Sequence, residues 1–171
     1  MSLIIKKIKN RDWVKVGFVL FLFFSSFSVK AEVGDYLKPQ ATVIVIPDKP
    51  DAFENKSAIL LNYWLKKIYG TDSGFVVKKE SLIKIKEGEV LITIGKTQFS
   101  AAYNLSNLEP YSFVIKRQKD VVSIEGETPL GTYLGTGYFL DRFCGIRYYL
   151  PGTLFISMPE NKKVNLNKII S

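Results

Sequence analysis

Hydrophobic positions after residue 40 follow first a strand period and then a helix period. Ala41–Pro47 is a dense run of β-branched residues, which is typical of a strand. Asp51 and Glu54 have the spacing of a capping box and mark the start of a helix. The apolar positions that follow recur at helical spacing; they are Ser57, Leu60, Leu61, Trp64, Leu65 and Ile68. Gly70 ends this predicted helix, and we expect one face of it to be buried.

Shorter apolar runs predict the remaining strands. Their ranges are 74–78, 90–95, 111–116 and 121–125. The last two form a predicted hairpin that turns at Gln118–Asp120. Ser81–Gly88 is a predicted loop, and Thr97–Asn104 a predicted short helix. This order favours an α+β domain of two layers over residues 41–160, with helices packed on a mostly antiparallel or mixed sheet. Residues 32–40 are a predicted polar lead-in and residues 161–171 a predicted polar tail.

The stretch Gly126–Gly152, GETPLGTYLGTGYFLDRFCGIRYYLPG, predicts a turn, a helix and a closing strand. Thr128 can cap the helix, Pro129 suits its first turn, and Gly145 ends it. A helical wheel places one apolar face at Leu130, Tyr133, Leu134, Gly137, Tyr138, Leu140 and Cys144. Each glycine inside the helix costs about 1 kcal/mol of helix propensity. Gly131, Gly135 and Gly137 therefore predict close packing of this helix against the sheet. A short strand is expected at 146–150.

This stretch resembles the accessory α+β domain that precedes the catalytic barrel in α-glucuronidases and β-N-acetylhexosaminidases. That family has T-P-x-G-T-x-x-G, then a helix ending in F-L-E, then G-x-R-W-Y-x-P-G. The matching residues here are Thr128, Pro129, Gly131, Thr132, Gly135, Phe139, Leu140, Gly145, Arg147, Tyr149, Pro151 and Gly152. Asp141 stands for the usual Glu and Tyr148 for the usual Trp. The resemblance extends weakly back to about Thr42, and it implies a domain that carries no catalytic residue, because the acid and nucleophile of such enzymes lie on the barrel.

The first 31 residues have the pattern of a secretory signal peptide. A lysine-rich start precedes the apolar run Val16–Val29, and Val29-Lys30-Ala31 is a suitable cleavage site. The run is shorter than the roughly 20 residues of a membrane-spanning helix. We therefore expect export to the periplasm or the extracellular space. The alternative is an uncleaved segment that anchors the chain in a membrane.

Removal of this segment changes the charge. The whole chain carries +8, but the first 31 residues hold six Lys or Arg and one Asp, so that 18 positive and 15 negative groups remain, net +3. Such a balance gives no reason to expect a nucleic-acid partner. The remaining 140 or so residues suit one domain and are too few for a catalytic (β/α)8 barrel, which needs about 250. The sequence has no His, which excludes His-based triads and disfavours zinc. We expect no cofactor and no metal, and Cys144 is predicted to be a buried thiol.

Two motifs, one glycine-rich and one acidic, can be interpreted either as functional or as purely structural. Gly126-x4-Gly131-Thr132 is a partial phosphate loop, but it lacks the lysine and contains Glu127, so a tight strand-to-helix turn is favoured. Glu125 and Glu127 are about 6–7 Å apart if both lie on a strand, a spacing compatible with paired glycosidase carboxylates. A strand end is expected to give these two carboxylates no cleft, and solvated charges are the favoured interpretation.

Three further groups are candidates for binding or structural roles. Aromatic rings can stack on sugars, and the candidates are Tyr63, Trp64, Tyr69, Tyr148 and Tyr149, with core packing as the alternative. Phe139 and Phe143 lie one turn apart, opposite the predicted apolar face, and form a candidate docking surface. Asp141 falls inside that apolar face. It is predicted to form a buried, two-pronged pair with Arg147, and a solvent-exposed Asp141 is the alternative.

Two functions follow from these patterns. The first is a non-catalytic accessory domain of a carbohydrate-active system, as a stand-alone copy or as part of a longer enzyme, whose partner is a hydrolase catalytic domain or a glycan. The second is an independent exported module that binds a glycan or a protein. A membrane is a partner only if the N-terminal segment stays uncleaved.

The signal peptide makes a direct prediction. If cleavage follows Ala31, N-terminal sequencing of the exported protein should begin at Glu32. Recovery of a chain with an intact Met1 from the membrane fraction would contradict cleavage and support the anchor.

Overall fold

The centre of the domain is a five-stranded mixed sheet in the order β2-β1-β3-β5-β4. Its strands are β1 (Thr42–Ile46), β2 (Val76–Lys79), β3 (Val90–Ile94), β4 (Phe113–Gln118) and β5 (Val121–Gly126). β1 pairs in parallel with β2 and β3, β3 pairs in parallel with β5, and β4 is antiparallel to β5. The α+β class and the mixed sheet are confirmed. The mostly antiparallel alternative is wrong, because of the described strands in this sheet only the hairpin pair runs antiparallel.

The computed structural model describes residues 35–100, 104–148, 156–159 and 163–169. All of these belong to one compact unit, Gly34–Ser171. The predicted signal peptide lies outside the described residues, as do Tyr149, Pro151 and Gly152 of the family pattern. A second small sheet joins β6 (Arg147–Tyr148) to β7 (Ile156–Ser157), antiparallel to each other.

The first helix, α1 (Ala52–Tyr69), begins and ends as its sequence predicts. Asp51 Oδ1 accepts a hydrogen bond from the Phe53 N–H at 2.8 Å, and Glu54 Oε2 accepts one from the Asp51 N–H at 2.7 Å. This reciprocal capping box satisfies two of the N–H groups that a helix start leaves open. Gly70 closes the helix with φ +57°, which is a left-handed conformation. The predicted buried face is confirmed at Ser57, Leu61, Trp64, Leu65 and Ile68.

The second helix, α2 (Pro129–Phe139), continues into a π-helical turn, Leu140–Cys144. Thr128 caps its start and Gly145 ends it with φ +75°, both as predicted. Its buried face is different from the predicted one: the buried residues of α2 are Gly131, Thr132, Gly135, Thr136 and Phe139. Leu134 and Tyr138 are exposed. The prediction was wrong because small residues, which a hydrophobicity pattern weights least, are the ones that let the helix approach the sheet.

Both helices pack on one face of the sheet. Ile44, Ile92 and Ile124 of the central strands share a buried core with Leu61 and Phe139 of the helices. On the other face, Val43, Val45 and Leu91 form a smaller cluster. Loop residues Ile83 and Phe99 cover that cluster instead of a helix. The short helix predicted at 97–104 is absent from its described part, where residues 97–100 form turns.

The lead-in and the C-terminal segment are part of the core. Leu37 N–H donates to the Val164 carbonyl at 3.1 Å, and Leu166 N–H donates to the Asp35 carbonyl at 2.7 Å. Val164 and Leu166 are fully buried. Arg117 on the edge strand β4 pairs with Asp35 and donates to Asn167. The described residues 163–169 are therefore a packed segment, which corrects the expectation of a polar tail and moves the domain boundaries outward.

The three glycines of α2 differ in what surrounds them. A Cβ on Gly131 would meet the Ser112 carbonyl oxygen at 2.6 Å, and one on Gly135 would meet the Phe113 ring at 3.0 Å. Close packing is thus confirmed at two of the predicted positions. A Cβ on Gly137 would meet nothing within 4 Å, so the prediction is wrong there.

This difference predicts opposite effects of one substitution. Gly131→Ala should destabilise the fold by about 1–3 kcal/mol, because backbone on the far side of the contact must move. Gly137→Ala should stabilise it by up to about 1 kcal/mol, because alanine favours the helix and the space is open. Urea unfolding of both variants beside the parent measures this. Equal shifts of the two midpoints would contradict the packing described here.

Candidate functional site

At the turn between β5 and α2, backbone N–H groups donate hydrogen bonds to nearby threonine hydroxyls. Gly126 N–H donates to Thr132 Oγ1 at 2.9 Å, and Gly131 N–H donates to Thr128 Oγ1 at 3.1 Å. A Cβ on Gly126 would lie 2.2 Å from the Thr132 nitrogen, so strand and helix touch here. Since a phosphate loop needs such N–H groups to point at a ligand, this geometry favours the strand-to-helix turn.

Glu125 and Glu127 border a pocket at this turn, contrary to the expectation that a strand end gives them no cleft. The pocket has a volume of about 380 Å³ and is lined by Glu54, Lys96, Asn104, Leu105, Ser106, Glu125, Gly126, Glu127, Thr128, Pro129 and Thr132. It lies at the carboxyl ends of the parallel strands β3 and β5 and at the starts of both helices. In open sheets with parallel strands, ligands bind at this edge. We call it the carboxyl-edge pocket.

Glu125 is withdrawn from solvent although it is an acid, with 4% of its surface exposed. Burial raises the pKa of its carboxyl group, and the nearby charge of Lys96 lowers it in part. Neighbouring residues Val122 and Ile124 face the helices. Strand alternation therefore turns Glu125 towards the opposite face. The interpretation of Glu125 as a solvated charge is wrong, because the side chain is buried at the end of β5.

Three of the five candidate aromatic residues lie together. The Tyr63 and Trp64 rings are 5.1 Å apart and nearly perpendicular, and the Trp64 and Tyr148 rings are 6.1 Å apart in the same manner. Lys67 Nζ lies 4.8 Å from the centre of the Tyr63 ring and 5.6 Å from that of Trp64. Tyr63 and Tyr148 are 49% and 48% exposed, whereas Trp64 is buried between them. We call Tyr63, Trp64 and Tyr148 the aromatic patch.

Tyr69 does not belong to the aromatic patch. Its ring packs at 5.2 Å from that of Phe75, and its hydroxyl accepts a hydrogen bond from the Val164 N–H at 3.0 Å. Core packing is therefore its role, as the alternative interpretation held. Tyr149 lies outside the described residues.

An open groove runs from the aromatic patch along α1 towards the edge strand β2. Its volume is about 720 Å³, and its lining comprises Ile59, Asn62, Tyr63, Lys66, Lys67, Gly70, Thr71, Asp72 and Val77. Its charged side chains are two lysines and one aspartate, so the lining carries a net positive charge. The amide of Asn62 donates to the Phe75 carbonyl. We call this feature the lysine groove. The apolar pattern of the sequence does not indicate it, because that pattern marks only the buried side of α1 and the groove is lined by the outer side.

The candidate docking pair of Phe139 and Phe143 is wrong. Phe139 has no exposed surface and belongs to the main core, and Phe143 packs against that core with its ring 5.5 Å from that of Phe139. The helix is rotated relative to the predicted orientation. The side opposite the predicted apolar face therefore packs against the sheet.

The predicted pair of Asp141 and Arg147 exists but is not buried. Arg147 Nε lies 3.8 Å from Asp141 Oδ1, and the two side chains are 66% and 54% exposed, Arg147 first. This is a single long contact and not a two-pronged one. Asp141 escapes burial because the π-helical turn and the rotated helix direct its side chain outward, as the solvent-exposed alternative held.

Three further features of the described part of the chain concern metal binding, the cysteine and membrane spanning. No group of three or more His, Cys, Asp or Glu residues there could hold a metal ion. Cys144 is a buried thiol, as predicted. Within the same described ranges no helix has both the length and the apolar character needed to cross a membrane.

Comparison with known proteins leaves the family open. No family model matches the chain, and no curated protein matches it. The groove and the pocket are therefore the features that bear on its function.

The exposed ion pair yields a stability prediction. Asp141→Asn and Arg147→Gln should each cost less than about 1 kcal/mol, because exposed pairs contribute about 0–1 kcal/mol. The stability loss of the double variant should equal the sum of the two single losses, because the two side chains are weakly coupled. Urea unfolding of the three variants measures this. Single losses of about 3–5 kcal/mol would mean a buried pair and contradict the geometry.

Proposed function

We propose that this chain is a non-catalytic accessory domain of a carbohydrate-active system and that the lysine groove is its glycan-contacting surface. The observation that carries the proposal is Tyr63. Its half-exposed ring stands at the end of the groove and is held in place by Trp64 and Lys67.

An aromatic ring fixed in this way suits a sugar. A pyranose presents an apolar face of C–H groups to a ring and polar hydroxyls at its rim, and tyrosine offers an apolar face with a polar end. The edge contact with Trp64 restricts the rotamers of Tyr63, so stacking costs less side-chain entropy. Tyr148, on the other side of Trp64, offers a second half-exposed ring.

The charges of the groove favour an acidic glycan. Lys66 and Lys67 outnumber the single acid of the lining, Asp72. The Asn62 amide already donates to the Phe75 carbonyl, and the Thr71 hydroxyl donates to the Ser73 carbonyl at 2.9 Å. Lys66 and Lys67 are therefore the main side-chain donors that the described lining offers a ligand. A polysaccharide with carboxylate substituents complements such a surface.

The groove is proposed to bind and not to cleave. Glycoside hydrolysis usually requires two carboxyl groups that flank the scissile bond. Of the described residues that line the groove, only Asp72 is acidic. This fits the resemblance of the stretch 126–152 to an accessory domain whose catalytic residues lie on another domain.

Glycan binding can be tested by affinity electrophoresis of the purified protein in gels that contain a uronic-acid-bearing xylan or a neutral xylan. We expect retardation by the acidic xylan. Tyr63→Ala should weaken it about tenfold or more, because one lost stacking contact of about 1.4 kcal/mol has that effect. Lys66→Gln should reduce the preference for the acidic xylan.

The matched control is Tyr111→Ala, which removes a tyrosine that is 62% exposed and lies outside the groove. It should migrate like the parent. Equal retardation of the parent and Tyr63→Ala would contradict the groove assignment. Hydrolysis of an aryl glucuronide by the purified protein, abolished by Glu127→Gln, would contradict the non-catalytic role.

A further inference from the structure

One wall of the carboxyl-edge pocket is formed by a buried acid, Glu125. Among the described residues, none donates a hydrogen bond to the Glu125 carboxylate, and none forms an ion pair with it within 4.0 Å. Lys96 is close enough to lower the pKa of Glu125 but lies beyond that distance. A buried carboxylate without close partners is unfavourable for folding.

Several of the other polar groups in the pocket are already engaged. Glu54 accepts a hydrogen bond from the Asp51 N–H at 2.7 Å in the capping box, Thr128 Oγ1 accepts from the Gly131 N–H at 3.1 Å, and Asn104 Oδ1 accepts from the Ser106 N–H at 3.2 Å. Glu125, Glu127 and Lys96 remain, and the described residues form no hydrogen bond or ion pair with their side-chain charges.

We infer that the carboxyl-edge pocket binds a small amine-bearing ligand of about monosaccharide size, whose ammonium group pairs with the buried carboxylate of Glu125. This inference goes beyond the glycan-binding groove and does not depend on it. The two sites differ in place and in charge, since the groove favours anions and the pocket favours cations.

The charge of the pocket selects the ligand class. Glu54 from α1, Glu127 from the β5–α2 turn and Glu125 itself face a single cation, Lys96 at the end of β3. An anionic ligand would meet this excess of acid. A cationic ligand supplies a close partner that Glu125 lacks among the described residues, and an ammonium-to-carboxylate hydrogen bond is among the stronger ones in proteins. A metal ion is a poor alternative, because the described acids do not form a metal-binding group.

The dimensions of the pocket select the ligand size. Its volume of about 380 Å³ lies near the lower end of the range for small-molecule sites, roughly 300–1,000 Å³. One sugar-sized ring with an amino group is of a size that suits this volume. The Glu127 side chain borders the same pocket and can accept from hydroxyl groups of the ligand.

The experiment uses three probes that differ in charge but little in size: glucosamine, glucose and glucuronate. Isothermal titration of the purified protein at about pH 6.5, where an amino group of this kind is charged, should give binding in the order glucosamine, glucose, glucuronate, with glucosamine tightest. Binding of glucosamine that is no tighter than that of glucose or glucuronate would overturn the proposal.

Four variants locate the contact. Glu125→Gln should weaken glucosamine binding about tenfold or more, because a charged acceptor becomes a neutral one of the same shape. Glu127→Gln should weaken it less, and Lys96→Met should tighten it, since a competing cation is removed. Glu87→Gln, on the exposed loop before β3, is the matched control and should bind like the parent. Unchanged binding in both Glu125→Gln and Lys96→Met would overturn the assignment.

Stability against pH separates a binding role from a structural one. The pKa of Glu125 is raised in the folded state by burial, against the lowering effect of Lys96, and burial also raises the pKa of Glu54. Ionisation of Glu125 therefore costs folded-state stability as pH rises from the usual glutamate pKa through the raised one, and the cost is absent below the usual pKa. If Glu125 serves ligand binding, its ionisation should lower the stability of the folded state. If Glu125 serves folding, its ionisation should not lower that stability.

The parent and Glu125→Gln are to be unfolded in urea at about pH 4 and about pH 7. The variant should gain stability relative to the parent as pH rises between these values, because it has no charge to bury. A variant that is less stable than the parent at about pH 7 would show that Glu125 supports the fold and would overturn the inference. Tyr63→Ala, which affects only the lysine groove, should leave glucosamine binding unchanged.

Discussion

The contact between β5 and α2 at Gly126 and Gly131 fixes the rest of the domain. No side chain separates strand from helix here, and Thr132 Oγ1 accepts the Gly126 N–H at 2.9 Å in the space that remains. The helix axis is consequently held close to the sheet. That closeness brings Gly135 against the Phe113 ring and Phe139 into the core. It also leaves room beside the turn, at the carboxyl ends of β3 and β5, for the carboxyl-edge pocket.

The sequence predicted the elements better than their faces. Caps at Asp51 and Thr128 and stops at Gly70 and Gly145 are local features, and each one is confirmed. The orientation of α2 is a tertiary property. The helical wheel assumed that large apolar residues are buried, yet Leu134 is exposed while Gly135 and Thr136 face the sheet. The π-helical turn then shifts the phase after Phe139, which no period of 3.6 residues can anticipate.

Strand direction explains why the pocket was missed. The hairpin of β4 and β5 was visible in the sequence, but a mostly antiparallel sheet and a mixed sheet were both open. In an antiparallel sheet Gly95 and Gly126, which follow β3 and end β5, would lie at opposite edges. In the parallel arrangement that exists, Lys96 and Glu125 reach the same edge. Direction depends on the crossover path of the chain, and a single sequence carries little information about it.

The helix α1 connects the two proposed sites and accounts for part of their charge. Glu54 in its first turn and Lys66 and Lys67 in its last are placed where the helix dipole favours them, so folding alone explains an acidic start and a basic end. The dipole does not explain Tyr63, whose ring is half exposed, or Glu125, which is buried on a neighbouring strand. Among the described residues, neither side chain forms a hydrogen bond to a backbone group, and neither belongs to the main core. For this reason ligand binding is proposed on the basis of these two side chains more than on the charges around them.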